Sequence, residues 1–522
     1  MTDEKSIAII LWINDEEVGM KQEKYLSALH IPEGYTVELV EVTEAQFRTE
    51  AYEKGRRQTN AKYKVYLDVK TIMINEDILE DMLGVFKGDL SIGMLGLIGT
   101  EKIPTQGVCA WANKRIGKAI DKHGKKFEKG IFETDYREVM AVDGFFMMTQ
   151  YDLPWRIDLF KTEAFWDTAQ CIEYRKAGYK VVVPNQKDFW CVADWAERKK
   201  YDKASQEIFL DTYSKDIYPL VSVIIPTYNR PEYFKEALES VIAQTYRNIE
   251  IFITDNSHNA KTKELMKPYL KKYDYIRYEH HPDFDAAGNW GVAQKYNNPE
   301  APYVNWLMDD DLFVPDKIAQ MVDCYEQDDG IALVTSYREL IGPRGEPICD
   351  PNWERAFNET TRADGEAMGR ELFRLGRNFI GEPTTVLIKK EYMLNQRELG
   401  FSGEEGKYLI SDFPTWLHCL QHGDMIYIYE PLSKFRMHAG QQQRSPETML
   451  SGTICMGMEI EYAWRHKIYL KNKKDFEMAV LQWLRQMDYV IKEIRKVNYD
   501  SEDVAVIKKQ GAKLLELSAQ TG

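Results

Sequence analysis

The chain has 522 residues, 44% apolar and 29% charged, with a formal net charge of −15 at pH 7. That length exceeds one ordinary core and calls for two or three domains, and the acidic balance excludes a broad nucleic-acid-binding surface while leaving room for a local basic pocket. The 7 cysteines are scattered, which excludes a zinc knuckle, a redox pair or a disulfide framework and points to reduced thiols in the cytoplasm.

The N-terminal stretch Met1-Thr2-Asp3-Glu4-Lys5 is polar and lacks the apolar segment of a signal peptide. No apolar run has the length of a transmembrane segment. A cytoplasmic protein is expected, at most peripheral to the inner face of the membrane. Ser6 to Ile13 is a strand-sized apolar run followed by Asn14-Asp15, so a buried parallel strand and a turn are predicted. A second strand is predicted over Thr36 to Val42, and a third over Tyr63 to Leu67, ending at Asp68. The mixed, charged segment Lys199 to Tyr218 closes this half. The expected boundary falls between Asp211 and Pro219, giving a first domain over 1–214; the alternative is a helix packed between domains.

The second half opens in the same way. Val221 to Ile225 is followed by Pro226-Thr227-Tyr228-Asn229-Arg230, with Pro231 placed to start a helix. A second strand, Ile249 to Thr254, ends at Asp255, and a third, from Tyr303, ends in Asp309-Asp310-Asp311. One α/β plan used twice is expected. Three acids at the carboxyl end of an apolar strand repel one another unless a cation neutralises them, and oxygen ligands suit Mg²⁺ or Mn²⁺ bridging to phosphates. The alternative is a solvated acidic turn capping the helix Lys317 to Tyr325. Tyr228 is suited to stacking on a base, Asp255 to accepting hydrogen bonds from one, and Gly288-Asn289 to close backbone approach to a ligand; taken singly, Asp255 reads as a turn cap. Asp412 before Phe413-Pro414 reads as a helix N-cap. His438, after the strand Met425 to Tyr429, reads as a surface histidine. From Leu450 to Val497, and again from Val504 to Leu517, apolar residues recur at helical spacing, so a helical extension is expected over 448–522 after a domain over 215–447. Packing on the preceding domain is its first expected role and self-association into a homo-oligomer the second.

The span Val221 to Ser445 resembles the family 2 glycosyltransferases of the GT-A fold. The resemblance rests on the ordered motifs Pro226-Thr227-Tyr228-Asn229-Arg230, Asp255, Asn289, the acidic triplet, Gly381-Glu382-Pro383-Thr384, Ser411-Asp412 and Arg436-Met437-His438. It implies an α/β fold of two tandem GT-A-like units (Rossmann-like, mostly parallel mixed sheets) with a helical tail. The implied activity is inverting transfer of a hexose from a UDP-sugar to a hydroxyl of a glycan or protein, with Mn²⁺ or Mg²⁺. Pro226, Thr227, Tyr228, Arg230, Asp255 and Asn289 would form the nucleotide pocket, with Asp309 and Asp310 along the nucleotide-sugar. Asp311, Asp309 and His438 would hold the metal. Gly381, Glu382 and Pro383 would border the acceptor, and Asp412 would be the general base. Gln441-Gln442-Gln443-Arg444, beyond Gly440, would belong to a lid. Two departures stand out: Met308 where relatives place a further Asp, and Ser411 where they show Glu.

Residues Ser6 to about Ala196 resemble the streptomycin-biosynthesis-type glycosyltransferase-like domain, through Ala61 to Leu67, Ile92 to Gly96, Val142-Asp143-Gly144, Tyr151 to Arg156, Ala177 to Pro184 and Phe189-Trp190-Cys191. Its polar positions depart: Lys70 stands where an acid is expected, and Ala164 and Ala193 where histidines are, with Asp167 kept and Asp194 following Ala193. An ammonium opposes a divalent cation, so this half is expected to be non-catalytic. The alternatives are a two-site glycan polymerase using Asp68, Asp143 and Asp167, a nucleotidyltransferase and a glycan-binding scaffold. A nucleotidyltransferase needs a glycine-rich, lysine-bearing loop that the segment after Ile225 lacks.

Overall fold

In the computed structural model the chain divides into two compact units, Met1–Tyr218 and Pro219–Gly522. The structure describes residues 2–193, 202–350, 353, 355–394, 412–439 and 445–520. Ser411, Asp194, Gly440 and Gln441 to Arg444, named above, lie outside the described residues.

The first unit is built on a seven-stranded sheet. Its strands are β1 (Asp3–Trp12), β2 (Thr36–Val42), β3 (Ala61–Leu67), β4 (Ile92–Gly96), β5 (Tyr136–Glu138), β6 (Phe146–Thr149) and β7 (Lys180–Pro184). Their order is β2-β1-β3-β6-β4-β7-β5. β1 is parallel to β2 and β3, while β6 runs antiparallel to both β3 and β4. Helices α1 (Arg48–Gln58), α2 (Trp166–Lys176) and α3 (Lys203–Ile217) belong to this unit, beside a second, six-stranded sheet. Ile7 to Leu11 are buried along the whole of β1, as a parallel strand covered on both faces requires.

The second unit repeats that plan with different residues. Its strands are β8 (Val221–Thr227), β9 (Ile249–Asp255), β10 (Ile276–His280), β11 (Tyr303–Trp306), β12 (Leu312–Phe313), β13 (Ile331–Ile341), β14 (Leu387–Lys389) and β15 (Asp424–Arg436). The main path of the sheet is β10-β9-β8-β11-β14-β13-β15-β12. β8 is parallel to β9 and β11, β14 is antiparallel to β11 and β13, and β13 is parallel to β15. From β9 to β15, order and sense match β2 to β7 of the first unit. Helices α4 (Pro231–Ile242) and α5 (Ala286–Lys295) lead from the tips of β8 and β10. Because β9 and β11 flank β8 on opposite sides, the carboxyl ends of β8 and β11 open a crevice where the winding reverses, the usual place for a ligand in such sheets.

The remaining helices of this unit are α6 (Lys317–Gln327), α7 (Gly365–Leu375), α8 (Asp412–Leu420), α9 (Pro446–His466), α10 (Lys473–Lys496) and α11 (Asp503–Gln520). The last three share one hydrophobic core with the sheet and α8: Trp464, Trp483, Ile507 and Leu514 are buried in the same cluster as Ile224, Trp306 and Trp416. Tyr469 binds the two parts, its hydroxyl donating to the Leu417 carbonyl at 2.5 Å. Among the described residues no helix is long and apolar enough to cross a membrane.

Candidate functional site

Register builds the first half of the site. Pairing of Ile224 with Trp306 sets Thr227 and Asp309, each three residues further on, side by side at the strand tips. The Thr227 hydroxyl donates to Asp309 Oδ2 at 2.9 Å and the Tyr228 amide to the same oxygen at 3.2 Å. Asn229 then turns the chain with φ 52, a left-handed conformation that asparagine tolerates, and Pro231 opens α4. The turn aims Arg230 at the acids: its Nη1 donates to Asp310 Oδ2 at 3.0 Å and to Asp309 Oδ1 at 3.4 Å. Tyr228 keeps 43% of its surface exposed beside the tip, edge-on to His258. On the next strand Thr227 pairs with Asp255. Asp255 is fully buried and accepts from the Ser257 amide at 2.8 Å and the Tyr278 hydroxyl at 2.6 Å. Burial and that carboxylate together push the Tyr278 phenol far above its ordinary range.

The three consecutive acids face three ways. Asp309 turns to Thr227 and Arg230. Asp310 meets His438 Nε2 at 2.9 Å. Asp311, fully buried, accepts from the Thr384 hydroxyl at 2.7 Å and the Arg436 amide at 3.0 Å. Burial first, and the neighbouring Asp310 charge second, raise the carboxyls of Asp309 and Asp311 above the ordinary carboxylate range. Arg436 is also fully buried: its guanidinium lies over the Tyr233 ring and donates to the Asp310 carbonyl at 2.7 Å and to Glu236 at 2.5 Å.

Carboxylates short of charge compensation beside an imidazole form a donor set that suits a divalent cation. Even so, no group of three or more acid, histidine or cysteine side chains among the described residues is arranged to hold one. The set expected above, Asp311 and Asp309 with His438, is therefore not brought together. The acid that reaches His438 is Asp310, because the oxygens of its two neighbours are claimed by donors at the buried strand tips.

The turn from Gly381 to Thr384 is tied to the same tip. Asn305 on β11 donates to the Pro383 carbonyl at 3.1 Å, and the Met308 amide donates to the Thr384 hydroxyl at 3.2 Å. Gly381 has φ 116, and a side chain there would run into Thr385, so only glycine fits. Glu382 pairs with Arg338 at 3.0 Å, and its charge acts on Asp311 and Asp412 alike. Asp412 opens α8, one carboxylate oxygen accepting from the Phe413 amide at 2.8 Å and the other from Asn378 Nδ2 at 3.2 Å. Burial pushes this carboxyl up. Four residues on, Trp416 Nε1 donates to the Gly381 carbonyl at 2.9 Å.

Asn289 reaches the same tip, its Nδ2 donating to the Thr227 carbonyl at 3.5 Å. It is buried and its amide is used internally, accepting from the Thr254 hydroxyl at 2.6 Å and donating to the Thr254 carbonyl at 3.2 Å, which fastens α5 to the tip of β9. Asn378, Arg338, Tyr278, Glu236 and Trp416 were not legible as site residues. The one local signal was Asn378, three residues before a glycine already singled out.

In the first unit the corresponding strand tip has one acid. Asp68 follows β3 and pairs with Arg48 at 3.0 Å; Arg48 also meets Glu163 at 2.9 Å and lies over Trp12 and Trp166. Asp143 pairs with Arg115, and Asp167 accepts from the Gly144 amide at 3.0 Å.

Comparison with known proteins agrees with the repeated plan. Residues 8–213 match the model of a glycosyltransferase-like family, and residues 222–380 match that of glycosyl transferase family 2. An uncharacterised glycosyltransferase of Rickettsia typhi is 30% identical over 273 residues, 52% of this chain and 77% of that protein. One from Methanocaldococcus jannaschii is 33% identical over 274 residues, 51% of this chain and 84% of that protein. Among solved structures, S. aureus TarS 1-349 in complex with UDP-GlcNAc aligns at 14% identity with a TM-score of 0.37, covering 58% of this chain and 90% of that one.

Proposed function

This chain belongs to glycosyl transferase family 2, and on that premise we propose that its second unit is an inverting hexosyltransferase moving a sugar from a UDP-sugar to a hydroxyl acceptor. The observation that carries the reading is the meeting of Thr227, Arg230 and His438 on Asp309 and Asp310 at the tips of two adjacent parallel strands. The exposed face of Tyr228 and the buried Asp255 flank that point and bind the uracil ring, by stacking and through hydrogen bonds. Arg230 screens the diphosphate from the acids below it. A divalent cation, Mn²⁺ or Mg²⁺, would be held by Asp310 and His438 and would supply charge stabilisation for a departing diphosphate. Asp412 takes the proton of the acceptor hydroxyl, which is a weak nucleophile until a positioned base removes it. Burial raises the affinity of that carboxyl for the proton it must take. Attack from the side of Asp412 displaces the diphosphate in one step and inverts the anomeric carbon. The acceptor is a glycan or a protein on the cytoplasmic side.

The first unit is proposed to bind or assemble rather than transfer. An arginine already neutralises Asp68 and another neutralises Asp143, the acids that a metal-dependent site there would need. A panel of UDP-hexoses with Mn²⁺, read by released UDP, identifies the donor. Asp412→Asn is expected to lower transfer by at least about a hundredfold while UDP and Mn²⁺ still bind by calorimetry; normal turnover by that variant would end the assignment of the base.

A further inference from the structure

We infer that Asn378 is the positioning residue of the base: its side-chain amide clamps the Gly381 turn and fixes one carboxylate oxygen of Asp412. This rests on the reading of Asp412 given above. The amide is used on both edges. Its Oδ1 accepts from the Ile380 amide at 3.2 Å and the Gly381 amide at 3.1 Å, and its Nδ2 donates to the Gly381 carbonyl at 2.9 Å and to Asp412 Oδ2 at 3.2 Å. Only a side chain with an acceptor and two donors on one planar group makes all four bonds. Aspartate lacks the donors, and serine lacks the span.

The Gly381 carbonyl also receives Trp416 Nε1 at 2.9 Å, so α8 is fastened to the turn at its first residue and again four residues later. With the second oxygen of Asp412 taken by the Phe413 amide at 2.8 Å, the carboxylate has one fixed orientation, and each oxygen keeps a lone pair for an incoming hydroxyl. Glu382 is a charged side chain whose field reaches Asp412; it pairs with Arg338 at 3.0 Å and its charge also acts on the buried Lys317. Burial and Glu382 disfavour the carboxylate, whereas the Asn378 hydrogen bond and the backbone amides favour it.

Loss of the Asn378 bond therefore moves the base upward. In Asn378→Ala, the acid limb of the pH–kcat/KM profile for the donor found by the UDP-hexose panel is expected to shift up by about one unit. The kcat falls roughly ten- to hundredfold, with donor KM unchanged. A substrate-free measurement runs alongside: water-soluble carbodiimide labelling of Asp412, followed by peptide mass spectrometry, shifts to higher pH by the same amount. Asn378→Gln, which keeps the amide, is expected to restore part of the shift. An acid limb and a labelling curve that stay at the wild-type pH in Asn378→Ala would overturn the inference, whatever the fall in stability. Asp412→Asn, run in parallel, separates the two readings. Transfer by Asp412→Asn removes the base itself; an inactive Asp412→Asn beside an unshifted Asn378→Ala removes only the role of Asn378.

Discussion

Asp310 receives the Arg230 guanidinium at 3.0 Å and the His438 imidazole at 2.9 Å, contacts that arrive from separate segments of the chain. If Asp310 and His438 hold a cation, His438→Ala weakens Mn²⁺-dependent UDP binding by roughly ten- to hundredfold, and metal-free UDP binding stays as it was; calorimetry with and without Mn²⁺ measures both. Equal loss under the two conditions would place His438 on the nucleotide rather than the metal. The positions of Thr227, Arg230, Asp255 and the acids were readable because each stands at the carboxyl end of an apolar strand. The orientation of each acid was not. Three consecutive residues after a strand point wherever the local torsions send them, so composition names the triplet without naming which member meets His438. Asn378 was hidden for another reason: its partners, Gly381 and Asp412, lie on either side of it in space but 34 residues separate it from Asp412 in sequence.

Helix α8 carries Asp412 at one end and a buried imidazole near the other. His418 keeps 3% of its surface exposed, and neither ring nitrogen has a hydrogen-bond partner among the described residues. Burial, with the charge of His422 second, lowers its pKa to about 4 from the ordinary 6.5. Between those values the unfolded chain binds the proton and the folded one does not, so stability is complete above pH 6.5 and drains away as the pH falls toward 4. The loss is on the order of 3 kcal/mol. Urea melts from pH 7.5 down to pH 4.5 should show it, and His418→Phe should flatten that dependence; an unchanged slope in the variant would show that other groups govern it. The tail shows where periodicity falls short at this scale. Apolar residues recur at helical spacing from Met456 through Ile468 and Tyr469 to Phe476, a pattern that predicts a helical extension without marking where one helix ends. The chain breaks between α9 and α10, with Lys467 at φ 56 and Tyr469 at φ 59, and Asn472 caps the new helix by accepting from the Asp475 amide at 3.0 Å. Tyr469 and Leu470 are buried in the turn itself, so they preserve the pattern while the backbone reverses.

Two sheets that share the order of six strands carry different acids at equivalent tips. Where the second unit gathers three acids, the first has Asp68 held by Arg48. The strand plan was legible twice because buried parallel strands are apolar throughout and short turns follow them; the arginines were not, since Arg48 and Arg115 lie far from their acids in sequence. In the full-length chain, Asp310→Asn is expected to reduce transfer by at least about a hundredfold, whereas Asp68→Asn leaves it within about twofold, Arg48 keeping Glu163 at 2.9 Å as a partner. Assay of UDP release in both variants decides, and comparable losses would make the first unit a second catalyst. The shared core of the second unit reaches further still. Trp483 and Leu514 of the final helices are packed into the same cluster as Trp416 and Ile224. Within the second unit the last helices and the sheet under the candidate site therefore melt together: the temperature that unravels those helices also dismantles the strand tips that carry the acids.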